Sequence, residues 1–321
     1  VFSLLRFRFH SPRALQQRML LNLWEFIGLF IAMFLTSALA FKMRSWTLWS
    51  MLNIMLLAVV VGAFSSRMVR PRDSASTVVR KMRASPDNPW VQAAGCSAFF
   101  DLLVEKRSTA AAAEPCVECA VKASLAFKTN EMVQLNVLRY FTPLCALSQR
   151  RAQLASSGAL EAVVQSARKL RSSLALARKL AMFVGAFCSQ AESTDERGVL
   201  LRLGIADDLV ASIRKHVSDI AIVEASVYAL MNLCANFPEA AKAVCQVDGP
   251  RALVAALGVQ VDRSSKRCAH FTLGLLAMLA QGSDASAKEA CSSDECVAML
   301  RRARDAWVDD KDITDVIDRL V

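Results

Sequence analysis

The sequence predicts an all-α protein that begins with a transmembrane helical hairpin and continues as an α-solenoid of about five repeats. Two long apolar runs predict the hairpin, and a helical segment that recurs every 42 to 46 residues predicts the solenoid. The composition agrees, because 54% of the residues are hydrophobic and the 321 residues include only 11 Gly and 8 Pro. That balance excludes a disordered, collagenous or disulfide-packed secreted chain and argues against an all-β fold.

Residues 1–18 are rich in arginine and apolar residues and contain no acidic residue. These traits are typical of a mitochondrial or plastid targeting segment, with an ordinary juxtamembrane amphipathic helix as the alternative. We therefore expect a multi-pass protein of the mitochondrial inner membrane, or otherwise of a plastid or other organelle membrane.

The hairpin is predicted over residues 19–66. Its two apolar runs, 19–41 and 46–64, have 23 and 19 residues with Glu25 as their only charge. At ~1.5 Å per residue, each run reaches across a hydrocarbon core of ~30 Å. Only residues 42–45 separate them, so the two helices are expected to be antiparallel; a buried core helix pair is the alternative. Small residues at four-residue spacing predict the faces on which these helices pack. They are Ala32, Thr36, Ala40, Ala58 and Gly62.

The net positive charge of the chain lies beside the hairpin. Residues 1–83 hold 12 basic and 2 acidic residues, whereas residues 84–321 hold 27 of each. Positive flanks favour the matrix, stroma or cytosol side of a membrane, so we expect both termini and the solenoid to face that compartment. The same flanks are expected to contact anionic lipid headgroups. The residues assigned to this role are Arg13, Arg18, Arg67, Arg70 and Arg72.

A basic linker is predicted over residues 67–87, a repeat domain over 88–304, and an acidic C-terminal helix or cap over 305–321. The repeat domain contains five copies of one long helix, which end at residues 103, 145, 188, 234 and 279. Glycine turns open a second helix at Gly158, Gly204 and Gly249. This period with two or three helices per unit is typical of HEAT or armadillo solenoids, in which neighbouring units cover one another's apolar faces.

The segment ASVYALMNLCANFPEAAKAVCQVDGPRALVAALG, residues 225–258, resembles an armadillo repeat. It has a long helix with an apolar-Asn-Leu end, a short loop, a helix that leads to a glycine turn, and a final helix rich in Leu and Val. The resemblance covers roughly residues 88–304 and implies an armadillo-like scaffold that binds proteins. In nuclear import receptors of this family, an asparagine on each long helix grips a basic peptide. The matching positions here are Asp101, Pro143, Ala186, Asn232 and Ala277. Only Asn232 fits, so import-cargo binding is not supported.

No catalytic or metal-binding motif stands out in the sequence. The three histidines do not pair at metal-ligand spacing, and there is no P-loop, HExxH or G-x-S-x-G motif. Most of the ten cysteines fall on apolar helix faces, which favours packing over chemistry. Cys116 and Cys119 form a lone C-x-x-C motif without a second pair for zinc. We expect no enzyme, metal or cofactor, and no nucleic acid or small-molecule substrate.

Besides Asn232, two charged stretches contain candidate protein-binding residues. Arg168, Lys169 and Arg171 form a basic run, for which a solvated face is the default and an acidic partner surface the alternative. Trp307 opens an apolar stripe in the acidic tail, which either caps the solenoid or docks on a neighbour.

These features favour a non-catalytic accessory subunit of a large organellar complex, such as a respiratory complex or ATP synthase of the mitochondrial inner membrane. Its solenoid is expected to bind other subunits on the matrix side. The alternative is a membrane-anchored armadillo adaptor that recruits soluble partners to an organelle surface.

Overall fold

The computed structural model describes residues 68–70, 73–104, 114–191, 194–281 and 292–320, all within the unit Met68–Val321. These residues form fifteen α-helices and no strand. In chain order, helices α1 to α15 span Ala75–Ala84, Pro89–Val104, Glu114–Ala126, Glu131–Leu144, Ser148–Ser156, Ala159–Lys169, Leu174–Gln190, Thr194–Arg202, Ile205–Lys215, Ile220–Cys234, Pro238–Gln246, Gly249–Asp262, Lys266–Gln281, Asp294–Ala306 and Lys311–Asp318.

The helices form two stacked rows joined by short connecting helices. The long row consists of α2, α4, α7, α10 and α13, each packed on the next, and the short helix α15 continues it by packing on α13. The second row contains the helices that precede them, and there α3 packs on α6, α9 on α12, and α12 on α14. Helices α5, α8 and α11 are the connectors. The described residues therefore have an all-helical, repeat-like fold of the α-solenoid type.

Every helix of the long row begins after a residue that recurs at the repeat spacing. Five of these residues cap the first turn by accepting a backbone N–H with their side chains, and Ser265 holds the corresponding place before α13. The capping side chains belong to Asn88, Asn130, Ser173, Asp219 and Asp310. Three residues after each of these positions, a non-polar side chain is at most 2% exposed. These are Val91, Val133, Leu176, Ile222, Cys268 and Ile313. The shared register makes one face of every long helix part of the core.

Aromatic rings form a continuous part of that core across the first three long helices. Phe99 of α2 meets Tyr140 of α4 at 5.4 Å between ring centroids, and Tyr140 lies 5.9 Å from Phe141. Phe183 of α7 is 6.2 Å from both Phe141 and Phe187. All five side chains are fully buried. Tilted rings at these distances add to the stabilisation from apolar burial, so the rings hold successive repeats together.

The predicted membrane hairpin is corrected by the described fold. No helix among the described residues is long and apolar enough to cross a membrane. The longest of them, α7, has 17 residues, which is about 25 Å at ~1.5 Å per residue and short of a hydrocarbon core of ~30 Å. The all-α fold class stands without its membrane anchor, and the multi-pass inner-membrane localisation is likewise corrected. The predicted spans 19–41 and 46–64 lie outside the described residues.

Helix α1 lies within the predicted linker 67–87. Its buried residues include Val78, Val79 and Met82, and it packs on α2 and α3. A Cβ atom at Gly95 of α2 would lie only 2.3 Å from the Met82 Sδ atom, so the two helices approach closely. The segment is basic overall, but its apolar residues recur at helical spacing and form the face that α1 buries. The predicted linker therefore contains a helix.

Candidate protein-binding face

The solvent side of the long row carries large side chains in one register. The ninth residue of the helix is Arg139 in α4, Met182 in α7 and Tyr228 in α10. Met182 is 40% exposed and Tyr228 is 41% exposed, although both are large. In α13 the ninth position is Gly274, and Phe271 from the preceding turn contacts Tyr228 instead. We call Arg139, Met182, Tyr228 and Phe271 the long-helix face.

Tyr228 joins three helices on this face. Its ring lies 5.8 Å from that of Phe271 in α13, and the ring of His270 follows at 6.3 Å from Phe271. Toward α7, a Cβ atom at Gly185 would lie 2.9 Å from the Tyr228 Cδ1 atom. Glycine at this position therefore lets the tyrosine ring lie close to the backbone of α7.

Ion pairs balance the charges toward both ends of the face. Arg139 lies 3.2 Å from Asp101, and its guanidinium stacks 4.1 Å from the centre of the Phe100 ring. At the other end, Arg267 lies 2.9 Å from Glu224 and 5.8 Å from the Phe271 ring centre. Each pair joins a long helix to the preceding one, so these charges stabilise the stacking of neighbouring helices.

The middle of the face is positively charged. Arg178 and Lys179 of α7 lie one turn before Met182, and neither forms an ion pair with another described residue. Arg178 is exposed and Lys179 is half-buried. The face thus combines an exposed apolar centre with two cations whose charge no described carboxylate neutralises.

Asn232, the residue suggested by the armadillo resemblance, lies one turn after Tyr228 on α10. Its side-chain amide donates to the Tyr228 carbonyl oxygen over 2.9 Å, and the residue is half-buried. The corresponding position in α4 is Pro143, one residue before that helix ends. The structure therefore places Asn232 beside the long-helix face, without a row of asparagines.

Of the predicted basic run, Arg168 is engaged within the chain. Its Nε atom donates to both carboxylate oxygens of Asp208 at 3.1 and 2.9 Å, and its Nη2 atom donates to the Leu203 carbonyl oxygen. These bonds link α6 to α9. Lys169 and Arg171 are exposed at the end of α6.

Trp307 lies in the turn between α14 and α15 and is only 4% exposed. It belongs to the core together with Ile313 and Ile317 of α15, so it offers almost no surface to a partner. Among the predicted headgroup contacts, Arg70 is described, and its backbone N–H donates to Asp73. The other predicted site residues lie outside the described residues. They are Arg13, Arg18, Ala32, Thr36, Ala40, Ala58, Gly62, Arg67 and Arg72.

Both cysteines of the C-x-x-C motif lie on the buried face of α3. Cys116 is 2% exposed and Cys119 is 5% exposed. Burial, with a further contribution from Cys119, raises the pKa of the Cys116 thiol to about 11, and burial also raises the pKa of Cys119. Reactive thiols need a lowered pKa and access to solvent, so these environments favour packing over redox chemistry.

Sequence reasoning missed Met182, Tyr228 and Phe271. Apolar residues on an Ala- and Leu-rich helix are indistinguishable from core residues until the register of the helix is known. The recurring capping residue supplies that register, because counting nine positions from it separates Tyr228 from its buried neighbours.

Comparisons with known proteins bear on the fold alone. No family model and no curated protein matches the chain. Among solved structures, two crystal structures of engineered proteins from the Northeast Structural Genomics Consortium are similar to it, each with a TM-score of 0.61 and 17% identity. One match covers 77% of this chain and 95% of the engineered chain, and the other covers 76% and 57%. This similarity is to the helical fold and says nothing of function.

Proposed function

We propose that this protein is a non-catalytic, armadillo-like scaffold that serves as an accessory subunit of a larger protein assembly. The observation that carries the proposal is the long-helix face, where exposed Met182 and Tyr228 lie in one register on successive helices and the half-buried ring of Phe271 packs beside Tyr228. We call these three side chains the strip. Large aromatic and Met side chains are enriched in the centres of protein interfaces. Single exposed apolar residues are common on protein surfaces, but large apolar side chains that recur in one register on successive helices favour a binding role.

The charges beside the strip specify the kind of partner segment. Arg178 and Lys179 lie next to Met182, whereas Arg139 and Arg267 are already paired with carboxylates. A segment with apolar side chains for the strip and carboxylates for these two cations complements the surface. The basic peptides that import receptors bind would not complement this surface, because their charges repel Arg178 and Lys179.

The test is the size of the native assembly that contains this chain. A tagged wild-type chain is expressed in the cells that naturally produce it, and the extract is separated by native electrophoresis. We expect the chain in a species much larger than its own mass of 35.1 kDa. The double variant Met182→Glu/Tyr228→Glu places charge on the strip and should shift the chain to its own mass. Ala255→Glu is the matched control, because Ala255 is an exposed residue of α12 in the second row.

Two results would contradict the proposal. A wild-type chain that migrates at its own mass has no stable partner, and a double variant that remains in the assembly does not use the long-helix face. The second candidate is an adaptor that recruits partners transiently. In that case only a small fraction of the chain should migrate in larger species, and added salt should release it.

A further inference from the structure

We propose that the cleft between α6 and α9 is a binding site for a small organic anion with an apolar body. It is a site separate from the long-helix face and does not depend on the proposed scaffold function. The cleft has a volume of about 280 Å³ and lies between the end of α6, the start of α7 and one side of α9. This is roughly twice the ~150 Å³ cavity that takes up benzene in an engineered protein.

The cleft interrupts an otherwise closely packed row. In the second row, α3 packs on α6, α9 on α12 and α12 on α14, whereas α6 and α9 lie farther apart. Small side chains from three helices face the gap, among them Ala167, Ala177 and Ala211, with Leu180 and Leu209 completing the apolar lining. Larger residues at the alanine positions would fill the space, so the local sequence itself leaves it open.

The ion pair of Arg168 with Asp208 spans the gap. Arg168 belongs to α6 and Asp208 to the first turn of α9, and the same guanidinium also binds the Leu203 and Gly204 carbonyl oxygens. Both charged side chains line the cleft and neutralise each other. They act as a strut that keeps the two helices at a set distance, which preorganises the space between them.

The remaining polar groups of the lining favour an anion. Arg171 and Lys215 carry positive charge there, against the single further carboxylate of Asp207. The Lys215 Nζ atom donates one hydrogen bond to the Arg171 carbonyl oxygen at 2.7 Å, and an ammonium has three donors. A carboxylate at this rim can accept from Lys215 and Arg171, while an apolar body occupies the alanine- and leucine-lined part.

The probe that tests the proposal is para-fluorophenylacetate, observed by fluorine NMR while the full-length protein is titrated. Saturable binding with a dissociation constant below about 10 mM is expected for a ligand of this size. The neutral amide of the same acid should bind at least about threefold more weakly, because it lacks the charge that Lys215 and Arg171 attract.

Two variants locate the site. Ala211→Leu fills the cleft from α9 and should weaken the probe at least about tenfold, and Lys215→Gln should weaken it about threefold or more. Ala255→Leu, an exposed alanine of α12 outside the cleft, is the control that should leave binding unchanged. Circular dichroism confirms that each variant remains folded.

The proposal is overturned if no saturable binding occurs up to about 10 mM. It is equally overturned if Ala211→Leu binds the probe as tightly as Ala255→Leu. Met182→Glu/Tyr228→Glu should bind the probe normally, so failure of the scaffold function and failure of this site give different results.

Discussion

At the residue scale, three residues with left-handed backbone set the turns that lead into second-row helices. Gly158 precedes α6 with φ +76°, Gly204 precedes α9 with φ +72°, and Asp248 precedes α12 with φ +58°. The sequence placed the third turn at Gly249, one residue later. An aspartate tolerates this conformation better than most residues, and the carbonyl and carboxylate oxygens of Asp248 accept from Arg214 at 2.8 and 3.1 Å.

Gly204→Ala is expected to destabilise the second row by more than Gly158→Ala does. Both changes place a Cβ atom in the left-handed region, which costs about 1–2 kcal/mol. At Gly204 the new Cβ would also lie 3.0 Å from the Arg168 Nη2 atom, whereas at Gly158 nothing lies within 4 Å. Hydrogen exchange of the α6 and α9 amides measures the local opening free energy in each variant. Equal losses in the two variants would show that the Arg168 strut does not constrain this turn.

At the scale of the element, buried glutamines join consecutive helices at the N-terminal end of the array. Gln134 of α4 is fully buried, and its amide donates to the carbonyl oxygens of Ser124 and Phe127 at the end of α3, at 2.9 and 3.0 Å. The Ser124 hydroxyl donates back to it at 2.9 Å. The Gln92 amide of α2 makes the equivalent bonds to the carbonyl oxygens of Met82, in the last turn of α1, and of Ser85, directly after it. These bonds add side-chain donors to carbonyl groups at helix ends, where the regular backbone pattern of the helix stops.

Replacing Gln134 with leucine should lower the stability of the α3–α4 pair by about 2 kcal/mol or more. The change keeps the volume nearly constant but removes the partner of the buried Ser124 hydroxyl and carbonyl oxygen, whereas the Phe127 carbonyl oxygen retains the Asn130 N–H. Gln149→Leu on α5 is the matched control, and because Gln149 is exposed it should change stability by less than about 0.5 kcal/mol. Hydrogen exchange of the α3 and α4 amides reports both values, and similar results for the two variants would refute a structural role for Gln134.

At the scale of the whole molecule, ion pairs join successive repeats. Among the described residues, six of them connect positions 38 to 45 residues apart, close to one repeat. They are Arg139–Asp101, Arg151–Glu196, Arg168–Asp208, Arg267–Glu224, Lys266–Asp310 and Arg302–Asp262. Arg151–Glu196 is largely buried, whereas the other pairs are partly or well exposed and each contributes little, so their main effect is to favour the correct register of neighbouring repeats.

Such an array is expected to unfold in more than one step. Stability in a repeat protein depends on contacts between neighbours, so distant repeats can open separately. Trp90 in α2 and Trp307 after α14 report on opposite ends of the array. Two variants that each retain one of these tryptophans, with the other four replaced by phenylalanine, should show different urea midpoints by fluorescence. Coincident transitions would indicate a single cooperative unit and contradict the expectation.

The sequence by itself determined the helical content, the repeat period and the five long helices, because capping residues and apolar spacing are local signals. Of the candidate binding residues it identified Asn232, which lies beside the long-helix face. It did not separate exposed Tyr228 from buried Trp307, since both read as apolar positions on a helix. Nor did it show that Arg168 pairs with Asp208, or that a cleft opens between α6 and α9. Only the tertiary structure decided these features, because they depend on how residues about one repeat apart meet when the helices stack.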